Sequence, residues 1–434
     1  MAKNITETKG TKQTVAVIGL GYVGLPLAVR AVERGYDVVG IARNKEKIDM
    51  INRGISPIED AGLSADMKLY KVKATSDQKA IAKADIILLC IPTPVDEFHN
   101  PDLTPVKEAS EMAATYAKKG ALVVLESTVN PGVSEEIIRP IFERRGYTVG
   151  KDIFIAHCPE RINPGDEHWT VKNIPRVVGS FDRKGLDLAL AFYRTIVDGE
   201  IRPMKSIREA EAVKIVENSF RDINIAFVNE LAKSFDVLDI DVKDVIQGAA
   251  TKPFSFLAHF PSCGVGGHCI PVDPYYLIER AKQSGFDHQF LKIARDINNS
   301  MPDYTVELLQ DGLNELRMPL NGTKVGVLGI AYKANIDDVR ESPSFEIIKK
   351  LKEHKATVLT FDPHVPRLST EKSLAALLRK CDALILATNH REFIDVLTPE
   401  LLKKNGIKAV IDGKNCLDKT AFRKSAVYYK GIGR

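Results

Sequence analysis

Short apolar runs rich in β-branched residues recur through the first part of the chain, with stretches of three- and four-residue apolar spacing between them. Thr14–Leu20 (TVAVIGL), Asp37–Ile41, Ala84–Ile91, Ala121–Glu126 and Ile153–Ala156 read as strands, and Pro26–Arg34 as the first helix between them. Strands alternating with helices in this order predict a doubly wound, mostly parallel sheet. From Ser206 the pattern changes. SIREAEAVKIVENSFRDINIAFVNELAKSFDVL contains no glycine and keeps helical apolar spacing, which predicts one long amphipathic helix suited to packing against a second copy of the chain. Further helices are expected through Val242–Ala250, Tyr275–Ser284 and Ile293–Asn299. After Leu320-Asn321-Gly322 the alternation returns, with strands at Lys324–Leu328, Thr357–Phe361 and Ala383–Ala387, a last strand at Ala409–Asp412, and a helix over Ser344–Glu353. The expected organisation is a polar tail (1–13), a first α/β domain (14–205), a central helical domain (206–310) and a second α/β domain (311–434).

Composition narrows the function classes. A length of 434 residues, 44% hydrophobic and 27% charged content, and no apolar run long enough for a bilayer predict a soluble protein of several domains with no membrane partner. The start, MAKNITETKGTKQ, lacks an apolar segment and reads as a flexible tail rather than a signal peptide, which points to the cytoplasm and leaves Asn4-Ile5-Thr6 an unused sequon. A net charge of +4 without basic blocks argues against nucleic acid as a partner, while anionic small molecules stay open. Cys90, Cys158, Cys263, Cys269, Cys381 and Cys416 show no C-x-x-C spacing, so neither a zinc ribbon nor a disulfide framework is expected, and no metal.

The first strand runs directly into Gly19-Leu20-Gly21-Tyr22-Val23-Gly24, and a helix follows. In that setting G-x-G-x-x-G marks a Rossmann-like domain: the glycines permit a tight turn and let the backbone approach a pyrophosphate at the helix N-terminus. At the end of the second strand, where NAD binders prefer an acid, the chain has Ala42 followed by Arg43. Either Arg43 receives a 2′-phosphate, which admits NADP beside NAD, or it is a solvated loop residue. The second α/β domain carries only Gly329 at its first turn, so any nucleotide there is bound differently.

Pro92-Thr93-Pro94 and Glu126-Ser127-Thr128-Val129-Asn130-Pro131-Gly132 both follow strands at their carboxyl ends, where open α/β sheets bind ligands; each alone is also an ordinary capped turn. Cys158-Pro159-Glu160-Arg161 follows another strand. Glu160 suits a general base or a surface ion pair, and Cys158 suits packing. Lys214 and Asn218 stand one turn apart on the long helix, able to offer an ammonium and an amide to an oxyanion, although Glu211 and Lys214 also read as a surface pair. Cys269 follows Gly264-Val265-Gly266-Gly267-His268, with Asp273 four residues on. A cysteine is more commonly a small buried hydrophobe. After a glycine run that lets backbone approach a substrate, and with a cation nearby, it becomes a candidate nucleophile.

The segments GLGYVGLPLA, ESTVNPG, CPERINPGD, EAVKIVENSFRDINIAFVNELA, GVGGHCIPVDPYYL and LGIAYKANIDDVRESPS occur in this order. Together they resemble the UDP-sugar 6-dehydrogenase family, the UDP-glucose and UDP-N-acetylhexosamine dehydrogenases, from about Thr14 to Asp412. The resemblance implies two Rossmann-like domains joined by a central helical domain, and a four-electron oxidation of a sugar C6 alcohol to a carboxylate with NAD. It implies Cys269 as nucleophile, Lys214 and Asn218 at the intermediate, and Asp273, Glu160 and Thr128 in proton transfer and water placement. It implies Gly19, Gly21, Tyr22, Val23, Gly24, Arg43, Pro92, Thr93 and Thr128 on the cofactor, and Glu160, Arg161, Lys214, Asn218, Gly266, Lys333 and Arg340 on the UDP-sugar. Lys414 stands where the family commonly has Arg, and a lysine does not reproduce a bidentate fork on phosphate. His268 and CIPVDPYYL are most similar to the N-acetylhexosamine branch, with UDP-N-acetylglucosamine the expected substrate ahead of the manno and galacto epimers and UDP-glucose. A homodimer through the central domain, a non-catalytic nucleotide-sugar sensor and a simple two-electron dehydrogenase complete the readings to be tested.

Overall fold

The computed structural model describes residues 12–58, 60–96, 100–162 and 168–434. The proposed N-terminal tail lies, up to residue 11, outside the described residues. The chain forms two compact units, Met1–Glu217 with Tyr275–Arg280, and Asn218–Pro274 with Ala281–Arg434.

The N-terminal unit is built on eight strands: β1 (Thr14–Ile18), β2 (Asp37–Ile41), β3 (Lys73–Thr75), β4 (Ile86–Leu89), β5 (Leu122–Leu125), β6 (Phe154–His157), β7 (Arg176–Ser180) and β8 (Ile201–Pro203). Their order is β3-β2-β1-β4-β5-β6-β7-β8, parallel throughout except for the antiparallel β6–β7 pair. β1, β4, β5 and β6 are buried along nearly their whole length because apolar clusters cover both faces of the sheet, which is why they read as continuous apolar runs. The strand order reverses between β1 and β4. The carboxyl ends flanking that switch point, Gly19–Gly24 and Cys90–Thr93, are where a doubly wound sheet opens a ligand crevice.

The C-terminal unit carries β9 (Lys324–Leu328), β10 (Thr357–Phe361), β11 (Ala383–Leu386), β12 (Ala409–Asp412) and β13 (Tyr428–Gly431) in the all-parallel order β10-β9-β11-β12-β13. The last strand is therefore β13, not Ala409–Asp412. Tyr428-Tyr429-Lys430 is only half-buried at the sheet edge and lacks the apolar run that marks the central strands.

The helical region begins with the 31-residue helix Ile207–Val237. It continues through Val242–Ala249, Asp273–Gln283, Gln289–Asn299 and Met301–Glu315. The helix expected from Tyr275 starts two residues earlier, so that Asp273 occupies its first turn, where a carboxylate complements the helix dipole. In the C-terminal unit a buried acid closes the first turn of the sheet. Asp362, just beyond β10, accepts the amide protons of Ile330 and Ala331 at 2.6 and 2.8 Å and faces His390 Nε2 at 3.1 Å. Gly329 has φ +92°, and a Cβ there would lie 2.3 Å from Thr388 Cβ, so only glycine fits the turn.

Burial opposes the charge on Asp362, but the His390 ring and the two amides outweigh it and hold the carboxyl down at about 2. A depressed carboxyl contributes stability that is complete above its unfolded value of about 4 and is lost as pH falls toward the folded value. The urea midpoint of the wild type is expected to fall steeply between about pH 4 and 2. Asp362→Asn should start lower at neutral pH and be flatter across that window.

Candidate active site

The glycine fingerprint has three distinct physical roles. Gly19 adopts φ +95° and a Cβ there would sit 2.3 Å from Cys90 O, while a Cβ at Gly24 would sit 1.9 Å from Gly19 O. Both glycines hold the turn together. At Gly21 an added Cβ meets nothing within 4 Å, so that backbone faces open space. The helix Gly24–Glu33 begins with no side-chain cap and no acid in its first turn, leaving its amide dipoles to an anion. This cradle fits a dinucleotide pyrophosphate, with Tyr22 and Val23 between the glycines. Thr93 is buried and its carbonyl accepts the Tyr276 hydroxyl at 2.7 Å; Pro92 beside it is exposed. Arg43 is 81% exposed and pairs with Glu108 at 2.5 Å, while Ala42 is half-buried.

At the ends of β5 and β6 two acids share one cation. Glu126 and Glu160 are buried, and Arg176, fully buried at the start of β7, donates Nη1 to Glu126 at 2.9 Å and Nη2 to Glu160. The Tyr193 hydroxyl donates to the other Glu126 oxygen, and Glu160 Oε1 accepts the amides of Arg161 and Ile162 at 2.6 and 2.8 Å. Glu160 is thus in a buried network rather than in a surface pair. Arg161 pairs with Glu217 at 2.5 Å, and 163–167 of the same motif lie outside the described residues. Thr128 is half-buried. Its neighbour Ser127 ties β4 to β5 by accepting the Ile91 amide at 2.9 Å. Glu211 is buried and accepts the amides of Gly132 and Ser134 at 2.6 and 2.8 Å, so it caps the ESTVNPG loop instead of forming a surface pair with Lys214. Lys214 is itself buried on the same helix.

In the C-terminal unit, Cys269 is the exposed member of the six cysteines. Burial raises the thiols of Cys90, Cys158, Cys263, Cys381 and Cys416 above their ordinary range, which fits packing rather than chemistry. The glycines before Cys269 are closed by protein. A Cβ at Gly266 would lie 2.6 Å from Tyr332 Cβ and 2.8 Å from Glu341 O, and one at Gly267, where φ is +93°, would lie 2.8 Å from the Tyr332 ring. The glycine run therefore serves close packing against the segment that carries Lys333 and Arg340. Gly267 N donates to Arg340 O at 3.0 Å. The Arg340 guanidinium pairs with Asp338 at 2.6 Å, and Cys269 stands near enough to interact with it electrostatically. Burial, with Arg340 beside it, keeps His268 below the usual imidazole range and hence neutral near pH 7. Asn218 Nδ2 donates to Asp273 Oδ2 at 2.5 Å, both side chains buried. Lys333 is half-buried on the turn after β9, and Lys414 is half-buried just beyond β12.

Sequence reasoning named Cys269, Asp273, Asn218, Gly266 and Arg340, and the fold gathers all five in one unit. It missed Arg176, Tyr193 and the part played by Glu126. Two acids, each ending an apolar strand, were the available signal that a buried cation must lie nearby.

This fold and site define a dinucleotide-dependent dehydrogenase with an exposed cysteine. Residues 13–197, 208–300 and 326–419 match, in turn, the NAD binding, central and UDP binding domains of the UDP-glucose/GDP-mannose dehydrogenase family. The chain belongs to this family and is an NAD-dependent enzyme of the UDP-sugar dehydrogenase type. It is 35% identical to the UDP-N-acetyl-D-mannosamine dehydrogenase of Pyrococcus horikoshii, over 97% of this chain and 99% of that protein. It is also 35% identical to the UDP-N-acetyl-D-glucosamine 6-dehydrogenase of Pseudomonas aeruginosa, over 93% and 97%. The solved structure of the Pyrococcus horikoshii UDP-D-ManNAc dehydrogenase superposes with a TM-score of 0.91, at 35% identity, covering 97% of this chain and 99% of that one.

The cradle geometry separates two glycine variants. Gly24→Ala is expected to destabilise the fold by about 1–3 kcal/mol through overpacking. Gly21→Ala should keep the wild-type melting temperature and lose NAD affinity, read by calorimetric titration; unchanged affinity would remove Gly21 from the pyrophosphate.

Proposed function

We propose that the chain oxidises the C6 alcohol of a UDP-N-acetylhexosamine to the uronic acid through a covalent intermediate on Cys269. The observation that carries this reading is the exposed Cys269 thiol, within electrostatic reach of Arg340, while four of the other cysteines are buried and Cys416 is half-buried. Two molecules of NAD, which Gly19–Gly24 and Thr93 would hold one after the other, would each accept one hydride, the first of them leaving the C6 alcohol as the aldehyde. Cys269 sulfur adds to the C6 aldehyde, giving a thiohemiacetal. Loss of hydride from that carbon gives a thioester. Water then attacks, the carbon–sulfur bond breaks, and the carboxylate and the thiol are released. Lys214 and Asn218 stabilise the oxyanion of the adduct, and the buried Asn218–Asp273 pair fixes that amide. Glu160 and Thr128 serve the hydrolytic water, and Lys333, Arg161, Gly266 and Arg340 hold the UDP-sugar.

The N-acetylglucosamine epimer is the first reading, on the cysteine motif. The manno epimer is the second, supported by the TM-score of 0.91 to the ManNAc dehydrogenase. Phe220 and Phe227, seven residues apart on the long helix and about half exposed, support a homodimer through the central region.

A panel of UDP-glucose and the gluco, galacto and manno forms of UDP-N-acetylhexosamine, read by NADH absorbance, should give turnover with an N-acetylated sugar; turnover with UDP-glucose alone would reject the reading. Cys269→Ser should bind the UDP-sugar yet lose uronate formation by about three orders of magnitude or more, and a variant with full turnover would remove the covalent step. The pairing of Arg43 with Glu108 supports NAD over NADP. Ala42→Asp should raise the NAD-to-NADP ratio of kcat/KM further, because an added carboxylate repels a 2′-phosphate; an unchanged ratio would place Arg43 away from the ribose.

A further inference from the structure

Two acids clamped by one guanidinium inside a sheet are an expensive arrangement unless their charge has a use. Arg176 alone cannot neutralise Glu126 and Glu160 together, and all three side chains are buried. The titratable groups that face Glu126, among the described residues, are Arg176 from β7, Glu160 and Cys158 beyond β6, Tyr193 from the helix Arg183–Ile196, and Cys90 beyond β4. Burial keeps both thiols and the Tyr193 phenol protonated, so any proton exchanged near neutrality belongs to the acids.

We propose that Arg176 and Glu126 are positioning residues for Glu160: the guanidinium fixes the Glu160 carboxylate, and the proton on Glu126 decides whether that guanidinium is divided between two anions or given to Glu160 alone. This rests on the role in thioester hydrolysis assigned to Glu160 above. Three contacts hold Glu160: Arg176 on one oxygen and the amides of Arg161 and Ile162 on the other. With Glu126 ionised, the guanidinium is divided between two carboxylates, and the hold on Glu160 Oε2 is shared. With Glu126 neutral, the guanidinium is given to Glu160 alone, which ties that oxygen down and leaves it less available to the attacking water. Burial pushes Glu126 up to about 7; Arg176 resists the rise and the neighbouring Glu160 adds to it. The exchange therefore falls in the working range of pH.

The test is the rate of uronate release from enzyme loaded with the UDP-sugar that the substrate panel identifies, followed by quenched flow across neutral pH. Wild type should speed up with rising pH through an inflection near 7. Glu126→Gln should remain on the acid plateau, about tenfold below wild type on the alkaline side, with KM for the UDP-sugar unchanged. Glu126→Asp should restore the inflection. Tyr193→Phe removes a donor to the ionised form of Glu126 and should move the inflection to higher pH, which keeps the test open if Glu126→Gln folds poorly. A wild-type profile in Glu126→Gln overturns the proposal, and so does a loss that is uniform in pH and tracks a lower melting temperature. Glu160→Gln separates this from the underlying reading. Full release in that variant refutes the part assigned to Glu160 itself, whereas slow release there with a wild-type profile in Glu126→Gln refutes only the clamp.

Discussion

The presentation of the exposed Cys269 thiol depends on a contact that admits no side chain. Gly264, Gly266 and Gly267 lie so close to Tyr332, Glu341 and Pro343 that a Cβ on any of them would stand within 2.9 Å of those residues. A loop pinned in this way has little freedom to retract. It leaves Cys269 exposed at the entry to the helix Asp273–Gln283, with Arg340 close enough for the two to interact electrostatically. Cys269 and Arg340 come from sequence positions about seventy apart, and the glycines are what let the two segments meet.

The N-terminal unit handles charge differently. Its cofactor cradle offers backbone amides at an uncapped helix end, a fixed partial charge that does not titrate. Its acids are folded inward on Arg176, where burial makes one of them responsive to pH near neutrality. A permanent electrostatic feature thus serves binding. Sharing a single guanidinium couples the two buried carboxylates.

Much of this was legible in the residues. The apolar strands β1, β2, β4, β5 and β6 and the C-terminal strands β9, β11 and β12 announce themselves because burial within the sheet demands near-continuous apolar runs, while β10, half-buried at its sheet edge, is marked by its β-branched and aromatic residues. β3, β8 and β13 are short or lie toward the sheet edge, and their mixed residues give no such signal. β7 begins with Arg176, a charge that composition assigns to the surface; only the fold shows it enclosed by Glu126 and Glu160. Likewise Glu211, four positions before Ile215 on an amphipathic helix, reads as a surface residue until Gly132 and Ser134 are seen to point their amides at it. The glycine run before Cys269 reads in sequence as letting backbone approach a substrate, whereas the atoms that a Cβ would meet there belong to Tyr332, Glu341 and Pro343. Local pattern reports periodicity well. It is blind to which distant polar group satisfies a buried one.

The proposed reaction keeps the sugar carbon on Cys269 between its first and its second oxidation. The ratio of NADH formed to uronate released, measured to completion with an aldehyde trap present, tests it most directly. Two NADH for each uronate and no trapped aldehyde are expected. One NADH per sugar, or aldehyde captured in proportion to turnover, would contradict it.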